Sequence, residues 1–305
     1  MKNKYFDLQV NGYAGIDFNQ NDLSLENLEK ACVKLKQDGV EGILATIITA
    51  NFSDMIRRVK NIAHYSNQSE IIADMIKGIH LEGPFINSAE GYRGAHPQEY
   101  ILRASVERMT LLLDACGGLL KLVTLAPEND EACRVTKYLY QQGVVVSAGH
   151  CNPSIEQLEQ AVSAGLSMFT HLGNGCPQQL HRHDNIIQRA LSLKDKLWLC
   201  FIADGHHVPF HALKNYIELV GDDRVIITTD AMAAAGAKQG LYTLSDITLE
   251  VAADRVVREP GKSNFAGSAI DMKSSALNLN ELLGLSEEQV HKMTHINPIK
   301  ALNLS

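Results

Sequence analysis

Apolar runs alternate with amphipathic segments along most of the chain, and this alternation predicts a parallel α/β fold. Runs rich in Val, Ile and Leu recur eight times between Phe6 and Thr229, each followed by a helix-like segment or a long loop. Most runs are apolar throughout, which is typical of strands buried on both faces. Eight such units favour a closed (β/α)₈ barrel over an open doubly wound sheet, because the edge strands of an open sheet should alternate apolar and polar positions.

Local spacing predicts several individual elements. Apolar residues at helical spacing follow a cap at Asp22 or Ser24, and Ser53 caps a second predicted helix. Residues 128–142 are predicted as one helix. After the eighth strand, residues 247–251 and 255–257 alternate apolar and polar around Ala253 and Asp254, which predicts a β-hairpin insertion. Because no linker is evident, residues 1–305 are predicted to form a single barrel domain.

Composition and charge exclude several classes of protein. The chain of 305 residues is 45% hydrophobic and 21% charged, as in ordinary globular proteins. Its net charge of -7 argues against a nucleic-acid partner. The six cysteines form no C-x-x-C pair, and no apolar run approaches a signal core or a bilayer span. The sequence therefore predicts a cytoplasmic protein that binds neither nucleic acid nor membrane.

Metal-compatible residues stand at the carboxyl ends of the predicted strands, where (β/α)₈ barrels build their active sites. Glu82, His150 and His171 each end a strand. A lone histidine is more often structural, so the prediction rests on their joint placement. One carboxylate and two imidazoles that leave a position open for water form the ligand set of a hydrolytic zinc site, which would lower the pKa of that water towards about 7. Asp230 ends the eighth strand and could accept the water's proton, or could simply cap a turn.

Motifs along nearly the whole chain resemble those of N-acetylglucosamine-6-phosphate deacetylases, a family of the amidohydrolase superfamily. They occur in the family's order, and each motif alone would be a weak signal. The motifs are GIHLEGPF at residues 78–85, GAHP at 94–97, AGH at 148–150, THLGN at 170–174, ADGHH at 203–207, TDA at 229–231 and FAGSA at 265–269.

The resemblance implies a role for each matching residue. It makes Asp230 the catalytic acid and base, His96 the group that polarises the scissile carbonyl, and Glu82 with the two strand-end histidines the metal ligands. A guanidinium suits phosphate, and in the family an arginine reaches the substrate phosphate of the neighbouring subunit, which implies a homodimer. The implied substrate-binding residues are His96, Asn174, Gly175 (usually alanine in the family), Arg182 and His207.

Gln9 and Asn11 determine the predicted number of metal ions. Many amidohydrolases carry His-x-His at the end of the first strand and bind two metals, whereas the spacing here is Gln9-Val10-Asn11. Amides are poor ligands for Zn²⁺, so one divalent metal is predicted. Zn²⁺ is favoured, although a carboxylate and two histidines also suit Fe²⁺, Co²⁺ or Mn²⁺.

The predicted function is hydrolysis of a linear amide C–N bond, converting N-acetylglucosamine 6-phosphate to glucosamine 6-phosphate and acetate. The same chemistry on N-acetylgalactosamine 6-phosphate or another acylated amino-sugar phosphate is an alternative, because the loop at residues 173–183 departs from the family pattern. A non-catalytic barrel that binds a sugar phosphate is the alternative from another class. Family members usually carry an accessory β-sandwich, and this chain is predicted to lack it.

Overall fold

Eight parallel strands, β1 to β8, lie side by side in chain order. The computed structural model describes residues 4–245, 247–251, 256–258, 260 and 265–304. The strands are almost entirely buried, as their uninterrupted apolar runs predict, and they form the predicted (β/α)₈ barrel. They span Tyr5–Val10 (β1), Val40–Ile48 (β2), Ile76–Glu82 (β3), Leu120–Leu125 (β4), Val145–Ala148 (β5), Leu166–Phe169 (β6), Trp198–Ile202 (β7) and Val225–Thr228 (β8).

Helices connect the strands and cover the outside of the barrel. They are Leu25–Gln37 (α1), Phe52–Gln68 (α2), Glu70–Met75 (α3), Val106–Ala115 (α4), Arg134–Gln141 (α5), Ile155–Ser163 (α6), Ile186–Ser192 (α7) and Phe210–Val220 (α8). Ser24 caps α1 as predicted, whereas Asn51 rather than Ser53 caps α2. Among the described helices, none has the length and apolar character that a membrane span requires.

The helix predicted over residues 128–142 is wrong in its first half, because α5 begins only at Arg134. Ala132 and Cys133 have φ angles of 53° and 52°, which interrupt a right-handed helix. The carboxylate of Asp130 accepts hydrogen bonds from the backbone nitrogens of Val135 at 3.0 Å and Thr136 at 2.8 Å. This carboxylate satisfies free N–H groups at the start of α5, so the helix begins later than its apolar spacing suggests.

Asp7 bridges the seam between β1 and β8, where the barrel is nearly closed. The backbones of the two edges meet at a bridge between Val10, the last residue of β1, and Ala231, which follows β8. Asp7 is 2% exposed and accepts hydrogen bonds from the hydroxyls of Thr228 at 2.7 Å and Thr229 at 2.5 Å. Burial raises the pKa of Asp7, while these hydrogen bonds oppose the rise. A single carboxylate therefore supplies much of the polar contact across the seam.

We expect Asp7→Ala to lower the free energy of unfolding by about 2–4 kcal/mol, because it removes the acceptor of the buried hydroxyls of Thr228 and Thr229. Chemical denaturation of the metal-free protein measures the change. Asp195→Ala is the matched control, since the side chain of Asp195 is 87% exposed, and we expect it to stay within about 0.5 kcal/mol of the wild type. A loss from Asp7→Ala no larger than that of the control would contradict the bridging role.

Residues at the end of the last helix close the amino-terminal end of the barrel. After β8 the chain forms α9 (Met272–Leu277), α10 (Glu287–His291) and α11 (Asn297–Ala301), with π-helical turns after α9 and α10. Ala301 and Leu302 share a buried cluster with Leu44, Met168 and Trp198 from the strands. This packing fills one end of the barrel and leaves the carboxyl ends of the strands as its open mouth.

A small antiparallel sheet follows β8 and packs at that mouth. Its strands are Gly240–Leu244 (β9), Ile247–Val251 (β10) and Val257–Arg258 (β11). Leu244 and Leu249 are buried in one cluster with Ile48, the last residue of β2. The sequence did not predict β9, and the predicted turn at Ala253 and Asp254, with Arg255, lies outside the described residues.

Candidate active site

Three side chains from the ends of β3, β5 and β6 converge at the mouth of the barrel and form the ligand trio, Glu82, His150 and His171. The Oε1 atom of Glu82 lies 3.2 Å from Nε2 of His150 and 2.9 Å from Nε2 of His171. The two Nε2 atoms are 3.1 Å apart. All three residues are buried. The structure thus brings together the three residues that the strand ends had suggested as metal ligands.

Hydrogen bonding indicates which nitrogen of His150 is free to bind a metal. Its Nδ1 atom lies 2.7 Å from the carbonyl oxygen of Tyr92. A carbonyl only accepts hydrogen bonds, so Nδ1 carries a hydrogen and Nε2 is the nitrogen left to bind a metal. A lone pair on Nε2 and the carboxylate oxygen of Glu82 would repel each other at 3.2 Å unless a cation lay between them. The donor set therefore fits a divalent metal held by the ligand trio.

The charges within the ligand trio keep its carboxylate ionised. Burial raises the pKa of Glu82, but the close contacts and the charges of His150 and His171 together outweigh burial and hold that pKa well below its usual range. Burial lowers the pKa of His171, yet the hydrogen bond and charge of Glu82 raise it overall. Glu82 is therefore an anion at neutral pH, which is the form that binds metals.

The backbone is strained at three of the strand ends. His150, His171 and Asp230 have φ angles of 49°, 33° and 52°. Residues other than glycine adopt this left-handed conformation rarely, at a cost of about 1–3 kcal/mol each. The strain coincides with the residues predicted to carry the chemistry, and such a coincidence is typical of functional sites.

Gln9 and Asn11 use their amides as hydrogen-bond donors to the two carboxylates of the site. Nε2 of Gln9 donates to Oε1 of Glu82 at 3.0 Å, and Nδ2 of Asn11 donates to Oδ1 of Asp230 at 2.7 Å. An N–H that donates has no lone pair for a metal. The ligand trio is the one group of metal-compatible side chains found within the described part of the chain.

Asp230 has an environment suited to proton transfer. Burial and the negative charge of Glu82 raise the pKa of Asp230 to about 7, although His171, His207 and Asn11 oppose the rise. A carboxyl group with a pKa near neutrality can both accept and release a proton during one reaction. This arrangement favours the prediction of a general base over that of a simple turn cap.

A layer of hydrogen-bonded polar side chains lies beneath the ligand trio. The sequence did not predict this layer. Nε2 of His80 lies 2.8 Å from the hydroxyl of Thr124, which in turn lies 2.7 Å from the hydroxyl of Thr170. Ser147 contacts Thr170 at 2.7 Å. His80 precedes Glu82 by two positions, so the alternation of a strand would have placed both on one face. Through Thr124 on β4, the layer connects β3, β5 and the end of β6, which carry the ligand trio.

A cavity of about 750 Å³ opens above the ligand trio. It is lined by most of the predicted substrate-binding residues, namely His96, Asn174, Gly175 and His207. Nε2 of His96 lies 4.0 Å from Oε2 of Glu82. Arg182 is the exception, because it is exposed and does not line the cavity of its own chain.

Gly175 explains a departure from the family pattern. Its φ angle is 63°, and a Cβ atom at this position would lie 2.8 Å from Nδ1 of His150. That distance is too short for a normal contact, so the alanine usual in the family would require the ring of His150 to move. Glycine therefore fits the position that the loop and ring adopt here.

Asp204 orients the ring of His207. Its Oδ2 atom lies 2.6 Å from Nδ1 of His207, and its Oδ1 atom accepts from the backbone nitrogens of His206 and His207 at 2.9 Å each. Burial raises the pKa of Asp204, but His207 lowers it below the usual value. Because Nδ1 is occupied, Nε2 of His207 remains available to a ligand. The Asp-x-x-His spacing in the sequence is the signal for this pair.

Curated proteins of similar sequence match nearly all of the chain. It is 30% identical over 300 residues to the N-acetylglucosamine-6-phosphate deacetylase of Bacillus subtilis (strain 168), covering 98% of this chain and 74% of that protein. It is also 30% identical over 300 residues to the N-acetylgalactosamine-6-phosphate deacetylase of Escherichia coli O157:H7, with 98% and 77% covered. No protein-family profile matches the chain.

Solved structures of the same kind share the fold. The N-acetylglucosamine-6-phosphate deacetylase of Pasteurella multocida superposes with a TM-score of 0.88 at 29% identity, over 99% of this chain and 76% of that one. A variant of the Mycobacterium smegmatis enzyme in complex with N-acetyl-D-glucosamine-6-phosphate gives a TM-score of 0.90 at 28% identity, over 99% and 77%. The sequence identity, the coverage and the barrel together show that this chain belongs to the N-acetylglucosamine-6-phosphate deacetylase family.

Proposed function

We propose that this protein hydrolyses the N-acetyl group of N-acetylglucosamine 6-phosphate, giving glucosamine 6-phosphate and acetate. The observation that supports this function most directly is the convergence of the ligand trio with Asp230 at one mouth of the barrel. A structural barrel has no need of a metal-competent trio beside a carboxyl group whose pKa burial raises to about 7. Relatives that are 30% identical are named for this reaction or for the same reaction on the galactose epimer.

Glu82, His150 and His171 would hold one divalent metal. Zn²⁺ is the ion we favour, and Fe²⁺, Co²⁺ or Mn²⁺ suit the same donors. When bound, such an ion polarises the amide carbonyl and lowers the pKa of a water. Gln9 keeps Glu82 in place by its hydrogen bond at 3.0 Å.

Asp230 carries the proton transfers. Its carboxylate takes a proton from the attacking water and delivers it to the amide nitrogen as the C–N bond breaks, so that acetate and a free amine leave. Burial lowers the pKa of His96 to about 3, so its ring is neutral and can donate one N–H to the carbonyl oxygen. A donor aimed at the developing negative charge is worth about 2.7–4 kcal/mol in comparable sites.

Asn174, Gly175 and His207 would bind the sugar phosphate, since they line the cavity beside the reacting groups. Arg182 lies on an exposed loop, so we propose that it serves the cavity of a partner chain in a homodimer. Sedimentation of the purified protein measures its oligomeric state. We further propose that residues 1–305 act as one catalytic domain in the cytoplasm, where the six unpaired cysteines would stay reduced.

Hydrolysis of N-acetylgalactosamine 6-phosphate is the second candidate. The relative from Escherichia coli O157:H7 that is named for this substrate is also 30% identical. Contacts between the cavity lining and the sugar hydroxyls distinguish the two epimers. The loop at residues 173–183 contributes to that lining. A non-catalytic sugar-phosphate-binding barrel is less favoured, because binding alone does not use Asp230.

Acetate release from both epimers tests the function. We expect metal-loaded protein to release acetate from at least one of the two sugar phosphates, and the ratio of kcat/KM values identifies the preferred epimer. Protein treated with a chelator is the control and should be inactive until metal is returned. Absence of acetate from both substrates, with metal bound, would rule out the proposed activity.

A further inference from the structure

We propose that Arg93 binds the 6-phosphate of the substrate within the same subunit. This inference rests on the proposed function and adds to it a residue that determines specificity for phosphorylated sugars. Arg93 lies in the loop between β3 and α4, shortly before His96, and it lines the cavity above the ligand trio.

The charges of the cavity lining favour a cation from the same subunit beside the phosphate, in addition to Arg182 of the partner subunit. Among the described residues, Arg93 is the one arginine or lysine that lines the cavity. Glu82, Glu90 and Asp230 line the same cavity and bear acidic side chains. A phosphate monoester carries about -1.5 to -2 charges at neutral pH, so it must sit near a cation and away from these carboxylates.

The guanidinium of Arg93 is available for a ligand. Its Nη1 atom donates to the backbone oxygen of His96 at 3.4 Å, which is a long contact. Within the described ranges, no carboxylate forms an ion pair with it. Arginine has five N–H donors in a planar fork, so several remain for phosphate oxygens, which the fork can bind in pairs.

The backbone that carries Arg93 is anchored to the site. The backbone nitrogen of Arg93 donates to Ala89 at 3.1 Å, and its carbonyl accepts from the backbone nitrogen of His96 at 3.1 Å. The carbonyl of the preceding residue, Tyr92, accepts from Nδ1 of His150 at 2.7 Å. Arg93 is therefore fixed relative to a metal ligand through its main chain, while its side chain is left free to meet the substrate.

The chemistry of the substrate places its phosphate away from the metal. The acetamide is on C2 of the pyranose ring, and the phosphate is on C6. C6 is attached to C5, which lies directly across the ring from C2. With the acetamide at the ligand trio, the phosphate lies towards the outer part of the cavity. A cation on the loop that walls the cavity is suited to meet it there.

Discrimination between phosphorylated and unphosphorylated substrates tests the proposal. We expect Arg93→Ala in metal-loaded protein to lower kcat/KM for N-acetylglucosamine 6-phosphate by roughly 10- to 100-fold, and to lower kcat/KM for N-acetylglucosamine far less. Arg93→Lys keeps the charge but loses the fork, so its loss should be intermediate. Arg103→Ala is the matched control, because Arg103 is exposed and lies outside the cavity lining.

Two outcomes would overturn the role of Arg93. The first is an unchanged preference of Arg93→Ala for the phosphorylated sugar. The second is an equal loss of kcat/KM on both sugars, because it would indicate that the substitution displaces His150 through Tyr92. Calorimetric binding of glucosamine 6-phosphate and glucosamine to wild type and Arg93→Ala gives the same comparison without turnover. If the wild-type protein releases no acetate, the proposed function is refuted. The difference in affinity for glucosamine 6-phosphate between wild type and Arg93→Ala would still decide the role of Arg93.

Discussion

Asp230→Asn is expected to lower kcat by roughly 10²- to 10⁴-fold, the contribution typical of a positioned general acid and base. Asparagine keeps the shape of the side chain and can still contact Asn11, but it cannot take a proton from water. Metal content should stay at the wild-type level, because Asp230 lies outside the ligand trio. Acetate release and elemental analysis of the same sample measure the two quantities, with Asp195→Asn as an exposed control.

The pH dependence of the same variant provides a second readout. A base must be ionised, so wild-type kcat/KM should fall as pH drops through the pKa of Asp230. Burial raises this pKa from 3.8 to about 7 in the metal-free protein, and a bound cation lowers it again. The acidic limb is therefore expected between these two values, and Asp230→Asn should lack it. A variant with the wild-type rate and the same acidic limb would remove Asp230 from the mechanism.

Glu82→Gln is expected to abolish tight metal binding, and activity with it. The change removes the negative charge that both histidines contact at 3.2 and 2.9 Å. We expect the metal affinity to fall at least about 100-fold, since removing even a partner of a ligand costs about 10- to 100-fold. Elemental analysis after dialysis should find one equivalent in the wild type and almost none in the variant.

Glu90→Gln is a matched control for this experiment, because it makes the same substitution in the lining of the same cavity. It should retain one equivalent of metal. A full equivalent in Glu82→Gln would contradict the assignment of the ligand trio. Two tightly bound equivalents in the wild type would contradict the interpretation of Gln9 and Asn11 as amides that cannot complete a second site.

The barrel and the positions of the ligand trio could be predicted from the sequence, and the reasons are physical. Parallel strands buried on both faces must be apolar along their whole length, so a polar residue that follows such a run marks the strand end. The carboxyl ends of all strands in a barrel face the same mouth. Glu82, His150 and His171 could therefore be predicted to lie together from the sequence alone. The resemblance in motifs then supplied the identity of the reaction, which strand ends alone do not give.

Contacts made by backbone atoms and by loops could not be predicted from the sequence in this way. The carbonyl of Tyr92 that fixes His150 leaves no sequence signal, because every residue has a carbonyl. Asp130 and the left-handed pair Ala132 and Cys133 delay the start of α5 against good helical spacing. The loop that carries Arg93 has no periodicity, so its approach to the cavity depends on tertiary contacts.

The left-handed backbone at His150, His171 and Asp230 restricts how this barrel can evolve. Asparagine, aspartate, histidine and glycine tolerate that conformation best, and β-branched residues are nearly excluded from it. Three strand ends of this scaffold thus admit a short list of amino acids that already contains common ligands and proton carriers. New chemistry on the same framework would be reached most easily by exchanges within that list, whereas a valine or isoleucine at these positions would first require the turn itself to be rebuilt.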